Sequence, residues 1–517
     1  MELLSPLLGG IGLLGDPLVW VAVLAGTVFG VIAGAMPGIG TTLAYGLVLP
    51  FTFVMPPVIG VAFLLSISVG VGYGNSIPAI LMGIPGNPAA ILTVIDGHAL
   101  HKRGEGGVAL GISFLAALGG QLVSIPLFVV LVVPLMALAY HFSFPEIFGL
   151  YCFGFLALIS LAADNLVKGL MSAALGIAIG LVGLDPINMV TRLDFGWREI
   201  RSGIDDVALV IGLLALSELF RSARQVFSWQ DHSGEARGAR FPAFARIRPA
   251  IPAMGTGTIV GTLVGAIPGA GATPAAMISY QMARMLSKRP ETFGKGSVEG
   301  IGANEAAQNA SNSGELIPTL GLGIPVSGSM VLLLAALTVQ GFVPGPLMVT
   351  NAPDLLFAAI AGLLAATIFL LATGWFMARL MLKAVSLDRQ VVIVVAITLT
   401  LIGVYAINTK VFDVMVAVAA GGVGYFMLRY GYSAPAAALG VFVGKEFERS
   451  LRIGLNMNDN SFVEFATRPI TAGILLVALG ILIWGAWRRV LMQRRLAAAR
   501  ARDGARETRS HQQETQE

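Results

Sequence analysis

The alternation of apolar and polar positions divides the chain into long apolar segments separated by short polar loops. The clearest apolar segments are residues 18–35, 107–123, 125–140, 166–183, 206–220, 355–378, 391–406, 414–428 and 471–487. A helix that crosses a membrane needs about 20 mostly apolar residues. Together with the segments that proline interrupts, these runs predict roughly 12 crossings. The pattern therefore predicts an all-α polytopic membrane protein.

Composition indicates that lipid surrounds most of the chain. Of the 517 residues, 56% are hydrophobic and 12% are charged, and the mean hydropathy is +0.81. A soluble domain cannot bury so much apolar surface. The N-terminus has neither a basic region nor a small-residue cleavage site, so the first apolar segment is expected to belong to the fold. The single cysteine, Cys152, excludes an internal disulfide framework and a cysteine-based metal site.

Basic residues collect in the loops 221–248, 284–295, 379–389 and 488–509. The positive-inside rule places such loops in the cytoplasm. The net charge of +4 therefore reflects membrane topology, and no nucleic-acid partner is expected. The predicted organisation is an N-terminal membrane repeat (1–220), a cytoplasmic basic linker (221–250), a C-terminal membrane repeat (251–487) and a cytoplasmic basic tail (488–517).

Two apolar stretches repeat each other. Residues 26–42 align without a gap with residues 257–273, at an offset of 231 (26 to 257), and nine of the seventeen positions are identical. No lysine or arginine precedes the first copy, whereas six arginines lie within residues 221–248 before the second. By the positive-inside rule, the first copy enters the membrane from outside and the second from the cytoplasm. The sequence thus predicts an inverted repeat, which is typical of secondary transporters.

A second motif, Gly-x-x-Ile-Pro-x-x-x-x-Gly-Ile-Pro, occurs at residues 74–85 and again at 314–325, an offset of 240 (74 to 314). Each half therefore carries two proline–glycine discontinuities, as broken helices or re-entrant hairpins. Proline interrupts a helix, and lipid cannot satisfy the N–H and C=O groups that the break frees. The N-terminus of the following half-helix carries partial positive charge and suits an anion. The upstream glycines Gly26, Gly30 and Gly34 are instead expected to pack helices closely.

Polar side chains accompany the breaks, and their amides and hydroxyls are able to hold a carboxylate or to replace the hydration shell of Na⁺. For residues 304–313 the alternative is a surface loop, because residues 294–302 before them are loop-like. The predicted substrate and ion site, meeting near the membrane midplane, consists of Pro37, Gly38, Gly40, Thr41, Thr42, Asn75, Ser76, Pro78, Pro268, Gly269, Gly271, Thr273, Asn304, Asn309, Asn312 and Ser313.

Two acidic residues, Glu305 and Glu315, are the candidates for ion coupling, since ionisable groups inside membrane segments are expected to be functional. Na⁺ or H⁺ is the expected coupling ion, and no other metal or cofactor is expected. No nucleophile elbow, histidine-rich metal cluster or Walker loop occurs in the sequence. No catalytic residue is therefore assigned, and the chain is not expected to be an enzyme.

Ordered motifs extend from residue 26 to residue 346. They are Gly34-x-x-Pro37-Gly38-x-Gly40, residues 73–81, Gly83-Ile84-Pro85-Gly86, Asp96-Gly97, Gly183-Leu184-Asp185-Pro186 with Arg192 and Phe195-Gly196, Gly265-x-x-Pro268-Gly269, Asn304-Glu305-Ala306, Asn309, Gly314, Pro318 and Gly321-x-Gly323-Ile324-Pro325. In these motifs the chain resembles the large membrane subunit of the tripartite tricarboxylate transporters, the TctA type. It departs from that pattern at Asp194, where the family has an uncharged residue.

The resemblance implies a three-part uptake system. A periplasmic solute-binding protein would deliver an organic anion, and a small membrane subunit would accompany the large one. An ion gradient rather than ATP would drive transport, and the typical substrates are citrate and other di- or tricarboxylates. The expected location is the bacterial cytoplasmic (inner) membrane.

Other function classes remain open to test. An anion channel would use the same breaks as a fixed filter, and a stand-alone secondary transporter would work without partners. Two matched pairs of breaks favour alternating access over a channel. An intramembrane enzyme acting on lipid would need a nucleophile or metal ligands that the sequence lacks. A non-transporting scaffold leaves the polar membrane segments unexplained.

Overall fold

The computed structural model describes residues 12, 15–36, 38–162, 165–185, 187–225, 241–342, 344, 345, 348, 352–384 and 389–487. Short turns lie at His101–Glu105, Arg198–Ile200, Phe244–Ile247, Arg248–Ala250 and Pro290–Thr292. The main helices are α1 (Pro17–Ala35), α2 (Thr41–Thr52), α3 (Pro57–Gly74), α4 (Ser76–Met82), α5 (the consecutive turns Pro88–Ala90, Ile91–Thr93 and Val94–His98), α6 (Gly106–Ala139), α7 (Phe144–Ala162), α8 (Leu166–Gly180), α9 (the consecutive segments Asp206–Ile211, Gly212–Leu216 and Ser217–Gln225), α10 (Ile251–Gly265), α11 (Ala272–Leu286), α12 (Val298–Leu322), α13 (Gly328–Val339), α14 (Pro353–Ala384), α15 (Arg389–Asn408), α16 (Val411–Arg429), α17 (Ala434–Asn456), α18 (Phe462–Thr467) and α19 (Pro469–Trp487).

Six of the described helices are long and apolar enough to cross a membrane, and five shorter apolar helices of 10–17 residues accompany them. Sheet structure in the described ranges is limited to two antiparallel strands, β1 (Gly183–Leu184) and β2 (Thr191–Arg192). These observations confirm the prediction of an all-α polytopic membrane protein.

Glycines in each half allow the helix before the first break to lie directly against the helix before the second. A Cβ added at Gly30 of α1 would lie 2.4 Å from the carbonyl oxygen of Ile67 on α3. A Cβ added at Gly261 of α10 would lie 2.4 Å from the carbonyl oxygen of Ala307 on α12. The upstream glycines therefore pack helices, as predicted. Four further contacts of this kind are Gly26–Phe63, Gly34–Val71, Gly257–Ala303 and Gly265–Ser311.

These pairings also give the directions of the helices. Along α1 and α3, and along α10 and α12, the residue numbers of the contacting positions increase in the same direction. Each pair of helices is therefore parallel. Helices α3 and α12, in contrast, are antiparallel. Gln308 Nε2 donates to the carbonyl oxygen of Gly72 at 2.8 Å, and Asn312 Nδ2 donates to that of Ser68 at 3.4 Å. The two halves therefore run in opposite directions, which confirms the inverted repeat.

The first break of each half lies where the repeated motif predicts it. Helix α1 ends at Ala35 and α2 begins at Thr41, while α10 ends at Gly265 and α11 begins at Ala272. Gly38 and Gly269 occupy the left-handed region, with φ of 88° and 78°. Glycine reaches this region without steric cost, so the chain can reverse within a few residues. The predicted site residue Pro37 lies outside the described residues.

The second break lies at the Gly-Ile-Pro end of its motif. Pro78 and Pro318 are inside helices, and the helices end at Gly83 (φ 70°) and Gly323 (φ 72°). Glycine at this position is the common way to end an α-helix, because it tolerates the left-handed conformation. Ahead of this break, the first half has only a one-residue interruption at Asn75 between α3 and α4.

A backbone hydrogen bond joins the two breaks within each half. The N–H of Gly38 donates to the carbonyl of Gly86 at 3.2 Å, and the N–H of Gly269 donates to the carbonyl of Val326 at 3.0 Å. The donors are 231 residues apart and the acceptors 240 apart, which are the offsets of the two sequence repeats. The breaks are thus one repeated unit of backbone structure.

Helix α12 occupies the centre of the molecule and packs on α3, α6 and α10. Residues 304–313 belong to this helix, and all of them except Asn312 are buried, so the surface-loop alternative is wrong. Residues 226–240 of the predicted linker and the whole predicted tail, 488–517, lie outside the described residues.

Candidate functional site

Each half brings together two helix N-termini at its breaks. The N-cap residues Gly40 of α2 and Gly271 of α11 supply no side-chain cap. Helices α5 and α13 are capped instead, because Asn87 Oδ1 accepts a hydrogen bond from Ala90 N at 2.9 Å and Ser327 Oγ accepts one from Met330 N at 3.4 Å. Helix N-termini carry partial positive charge, so each pair creates a position that favours an anion.

In the second half, the carboxylate of Glu315 lies between the two N-termini. Its Oε2 accepts a hydrogen bond from Ser327 Oγ at 2.6 Å, at the start of α13. Its Oε1 lies 3.5 Å from the position of a Cβ added at Gly271, at the start of α11. The opposite side of this break is closely packed, since a Cβ added at Gly269 would lie 2.6 Å from the Cα of Leu158 on α7. The chain therefore supplies its own anion at this break.

In the first half, a neutral residue stands at the equivalent position. Asn75 precedes Glu315 by 240 residues, its side chain is fully buried, and neither of its amide atoms has a hydrogen-bond partner. Its Oδ1 packs against Gly86, where an added Cβ would lie 2.5 Å away. The two N-cap residues of this half, Gly40 and Asn87, line a cavity of about 260 Å³. The first break thus offers space where the second holds a carboxylate.

The wall of the cavity carries a basic side chain together with its acidic partner. Arg221 of α9 lines it and donates to Oε1 of Glu218, one turn earlier on the same helix. Half of the Arg221 side chain is exposed, so its guanidinium is accessible to a ligand. Thr42 and Ser217 add hydroxyl groups to the wall. Glu218 also lines the cavity, together with Gly38, Leu43, Gly86, Pro88, Leu213, Leu214, Leu428, Ala434 and Pro435.

A second polar cluster surrounds Glu305 of α12, which is fully buried. The hydroxyl of Ser76 donates to its Oε2, and that of Thr93 donates to its Oε1. Asn304 Nδ2 donates to Thr93 Oγ1 at 2.7 Å, and Asn309 Nδ2 donates to the backbone carbonyl of Glu305 at 3.0 Å. Residues of both halves therefore meet around one carboxylate, although Ser76 and Glu305 are 229 positions apart.

The structure distributes the predicted site residues over several places. Gly38, Gly40 and Thr42 lie on the cavity of the first break. Asn75 stands behind that cavity, and Ser76, Asn304 and Asn309 belong to the Glu305 cluster. Thr41 begins α2, Pro78 is buried in α4, Pro268, Gly269 and Gly271 lie in the second break, and Thr273 is in the first turn of α11.

Two of the predicted residues face elsewhere. Ser313 accepts hydrogen bonds from Gln121 Nε2 at 2.9 Å and from Ser124 Oγ at 2.8 Å, both on α6. Asn312 faces α3, where its amide donates to the carbonyl of Ser68. Neither makes a described hydrogen bond to the Glu305 cluster or lines the cavity.

Sequence reasoning missed three contributors, Thr93, Asn87 and Arg221, as site residues. Thr93 lies within an apolar stretch, and Arg221 was counted among the basic residues that mark the cytoplasmic linker. For Asn87 a signal existed, because it follows the Gly-Ile-Pro motif at the same distance as Ser327 in the second copy. Its position two residues after the proline marks an N-cap in both halves.

A buried aspartate joins the two halves beside this region. Asp96 Oδ1 accepts hydrogen bonds from the backbone N–H groups of Gly294, Gly296 and Ser297, at 2.8–2.9 Å. Its Oδ2 accepts one from the hydroxyl of Tyr280 at 2.7 Å. All four donors belong to the second half and precede or pack beside α12. Asp96 therefore fixes the start of the central helix to the first half.

The hairpin of β1 and β2 is held by charge. Asp185 accepts backbone hydrogen bonds from Asn188 and Ile187 and pairs with Arg452 at 2.7 Å. These backbone donors and the Arg452 guanidinium hold the pKa of Asp185 well below its usual range. Arg192 joins Asp185 and Glu448 in the same network. The unusual Asp194 pairs with Arg201 at 3.4 Å, close to its own loop.

Comparison with known proteins agrees with this architecture. The profile of the tripartite tricarboxylate transporter TctA family matches residues 20–439. An uncharacterized 52.8 kDa protein in the TAR-I ttuC' 3' region of Agrobacterium vitis is 32% identical over 492 residues, covering 93% of this chain and 96% of the relative. An uncharacterized protein in the TAR-II ttuC' 3' region of the same organism is 32% identical over 219 residues, covering 42% of this chain and 90% of the relative. No solved structure matches the chain.

Proposed function

The chain belongs to the tripartite tricarboxylate transporter TctA family, and from this premise we propose that it is the large membrane subunit of an ion-gradient-driven importer of a di- or tricarboxylate or a similar organic anion. In this proposal a periplasmic binding protein delivers the anion, and a small membrane subunit completes the complex in the bacterial inner membrane. Family membership makes the chain a multi-pass membrane transport protein. Substrate, coupling ion and partners are the proposed part.

The contrast between Asn75 and Glu315 carries the assignment of the substrate site. Both breaks present two helix N-termini, and both positions lie at the same place in the repeat. The second break is neutralised by the carboxylate of Glu315. The first break has a neutral amide and a cavity. A carboxylate from outside the chain would therefore complete the first break as Glu315 completes the second.

Arg221 gives this site the charge that a carboxylate needs. Its present partner is Glu218, three residues away on the same helix. A half-exposed pair of this kind contributes little stability, so a substrate carboxylate can replace Glu218 at small cost. A guanidinium binds a carboxylate through two parallel hydrogen bonds. A volume of about 260 Å³ suits a small organic acid.

The position of Arg221 also suggests which side of the membrane the cavity serves. Arg221 lies four residues before α9 ends at Gln225, where the basic linker follows. The positive-inside rule assigns that end to the cytoplasm. The cavity is then a release site on the cytoplasmic side, and rocking of one half against the other would expose the first break alternately.

Uptake in membrane vesicles tests the proposal. The chain would be co-expressed with its small subunit, the binding protein would be added, and radiolabelled citrate and other di- and tricarboxylates would be offered under imposed Na⁺ or pH gradients. We expect saturable uptake that requires the binding protein and collapses with one gradient. Arg221→Ala should abolish it, whereas the matched control Arg224→Ala should not, because Arg224 points to the Tyr425 hydroxyl and does not line the cavity.

Other outcomes identify the alternatives. Saturable uptake without the binding protein would indicate a stand-alone transporter. Non-saturating anion currents that ignore both gradients would indicate a channel. Equal uptake by Arg221→Ala and wild type would show that the substrate does not bind in the cavity of the first break.

A further inference from the structure

We propose that Glu305, Asn304 and Asn309 of α12, with Ser76 and Thr93 of the first half, form a binding site for one Na⁺ ion. This site rests on the proposed function in that it names the coupling ion and its ligands. It is separate from the cavity of the first break, and its ligands are oxygen atoms of a carboxylate, two hydroxyls and two amides.

The charge of Glu305 requires a partner. The side chain is fully buried, and its carboxylate oxygens accept hydrogen bonds from the neutral hydroxyls of Ser76 and Thr93. Among the described residues no arginine, lysine or histidine forms an ion pair with it. A charge in a low-dielectric interior is very unfavourable unless it is paired or neutralised. Either a proton or a bound cation must therefore balance Glu305.

The neighbouring amides distinguish these two possibilities. Asn304 and Asn309 use their nitrogen atoms in hydrogen bonds to Thr93 and to the Glu305 backbone, and the Oδ1 atom of each is buried without a partner. A proton on Glu305 would neutralise the charge but could satisfy at most one of these oxygens. A cation accepts several oxygen ligands at once, and hard cations prefer carboxylate, carbonyl and hydroxyl oxygens. The leftover oxygens thus favour a cation.

Helix geometry brings these oxygens to the same level. Asn309 lies one turn after Glu305 on α12, and its Oδ1 packs against Gly72 of α3, where an added Cβ would lie 2.3 Å away. Gly72 in turn precedes Ser76 by four residues, and α3 and α12 are antiparallel. The Asn309 oxygen and the Ser76 hydroxyl therefore lie within one turn of each other, on the face that carries Glu305. A site with a single negative charge suits a monovalent ion.

The site has a direct structural connection to the cavity. Ser76 follows Asn75, whose Oδ1 contacts Gly86, and Gly86 lines the cavity and accepts the hydrogen bond from Gly38. Ligands from both halves hold the ion, so its binding would tie the halves together at the level of the first break. Na⁺ binding and anion binding would then favour the same arrangement of the two halves.

Binding of ²²Na⁺ to the purified full-length chain, co-purified with its small subunit, tests this site without any transport. Wild type should bind the isotope saturably, with displacement by unlabelled Na⁺ but not by choline. Glu305→Gln should lose this binding, and Asn309→Ala should weaken it by about tenfold, as expected when one oxygen ligand is removed. Glu299→Gln is the matched control, because it removes one negative charge from the first turn of the same helix and should bind as wild type does.

A second readout covers variants that fold poorly. NaCl should raise the thermal unfolding temperature of wild type above that in choline chloride, and this difference should become smaller in Asn309→Ala and vanish in Glu305→Gln. Absence of saturable ²²Na⁺ binding to wild type, or wild-type affinity in Glu305→Gln, would overturn the site. Na⁺ binding without any carboxylate uptake would instead leave the site intact and contradict the proposed function.

Discussion

The two breaks of the inverted repeat share a backbone and differ in chemistry. In both halves, glycines let one helix pack directly against the backbone carbonyl oxygens of another. One backbone hydrogen bond joins the two breaks of each half. The side chain at the equivalent position of the repeat nevertheless changes from Asn75 to Glu315. One break encloses its own anion, and the other leaves a cavity.

This difference separates the residues of the repeat that determine its backbone from those that determine the chemistry of each break. Glycine and proline positions recur because close helix packing and helix termination allow few other residues. The residues that face the N-termini carry no such restriction and are free to diverge. A single backbone unit can thus provide a break closed by its own carboxylate in one half and a break with an open cavity in the other.

The largest expected effect comes from making the first break resemble the second. Asn75→Glu would place a carboxylate behind Gly86, at the position that Glu315 occupies in the other half. Like charges in a poorly solvated site repel by several kcal/mol, so affinity for a carboxylate substrate should fall by about 100-fold or more. Equilibrium binding of radiolabelled substrate to the purified complex measures this loss.

The reverse change supplies the control. Glu315→Ala removes the carboxylate of the second break and leaves space in its place, so an added carboxylate should stabilise this variant against heat more than it stabilises wild type. Wild-type substrate affinity in Asn75→Glu, together with no extra stabilisation of Glu315→Ala, would show that the two breaks do not differ in the way proposed.

The next effect tests what the two halves share. Gly30→Ala and Gly261→Ala each introduce a methyl group 2.4 Å from a carbonyl oxygen, so both should destabilise the protein by about 1–3 kcal/mol, as overpacking does. Gly255→Ala on the same helix as Gly261 is the control, because no atom lies within 4 Å of the added Cβ. Thermal unfolding in detergent should show similar losses for the first two variants and none for the third. A loss of thermal stability in only one of Gly30→Ala and Gly261→Ala would mean that the two halves are not packed equally tightly.

Much of the fold and part of the site follow from sequence alone. The glycine and proline motifs predicted the repeat, because these residues act through the backbone at their own positions, and the arginines before the second copy predicted its inversion. Four members of the Glu305 cluster were predicted from sequence, namely Ser76, Asn304, Glu305 and Asn309. Thr93 was missed, because it meets Glu305 across more than 200 residues and nothing local marks it as facing a polar group. Arg221 could not be separated from the other arginines of its loop, because its distinction is that α9 turns it into the cavity. The surface-loop alternative for residues 304–313 rested on polarity, yet in α12 that polarity is satisfied inside the protein.

A smaller effect comes from the joint at Asp96, which the repeat does not reproduce. The equivalent position in the second half, 240 residues later, is Ala336, which has no carboxylate. Only the first half therefore supplies a carboxylate that fixes the central helix. Asp96→Asn replaces one acceptor oxygen with an N–H donor among groups that are themselves donors, and should cost about 1–3 kcal/mol. Tyr280→Phe removes one of the four hydrogen bonds and should cost about 1 kcal/mol. Urea unfolding measures how much unfolding free energy each variant loses, and Asp96→Asn should lose more than Tyr280→Phe. Equal or absent losses would mean that the contacts of Asp96 do not stabilise the pairing of the halves.

The smallest effect concerns the β hairpin, which the described part of the second half does not repeat. Asp185→Asn weakens its contacts with Arg452 and the two backbone N–H groups, so trypsin should cut faster at Arg192, Arg198 and Arg201. In wild type the folded pKa of Asp185 is depressed, so its stabilisation is present above the unfolded pKa of about 3.9 and is lost as pH falls through the lower folded value. Hydrogen exchange of the hairpin should therefore stay protected, after correction for intrinsic rates, from neutral pH down to about pH 4 and weaken only below it. Substrate affinity should not change, because the hairpin does not line the cavity. A change in substrate affinity would mean that the β hairpin takes part in substrate binding.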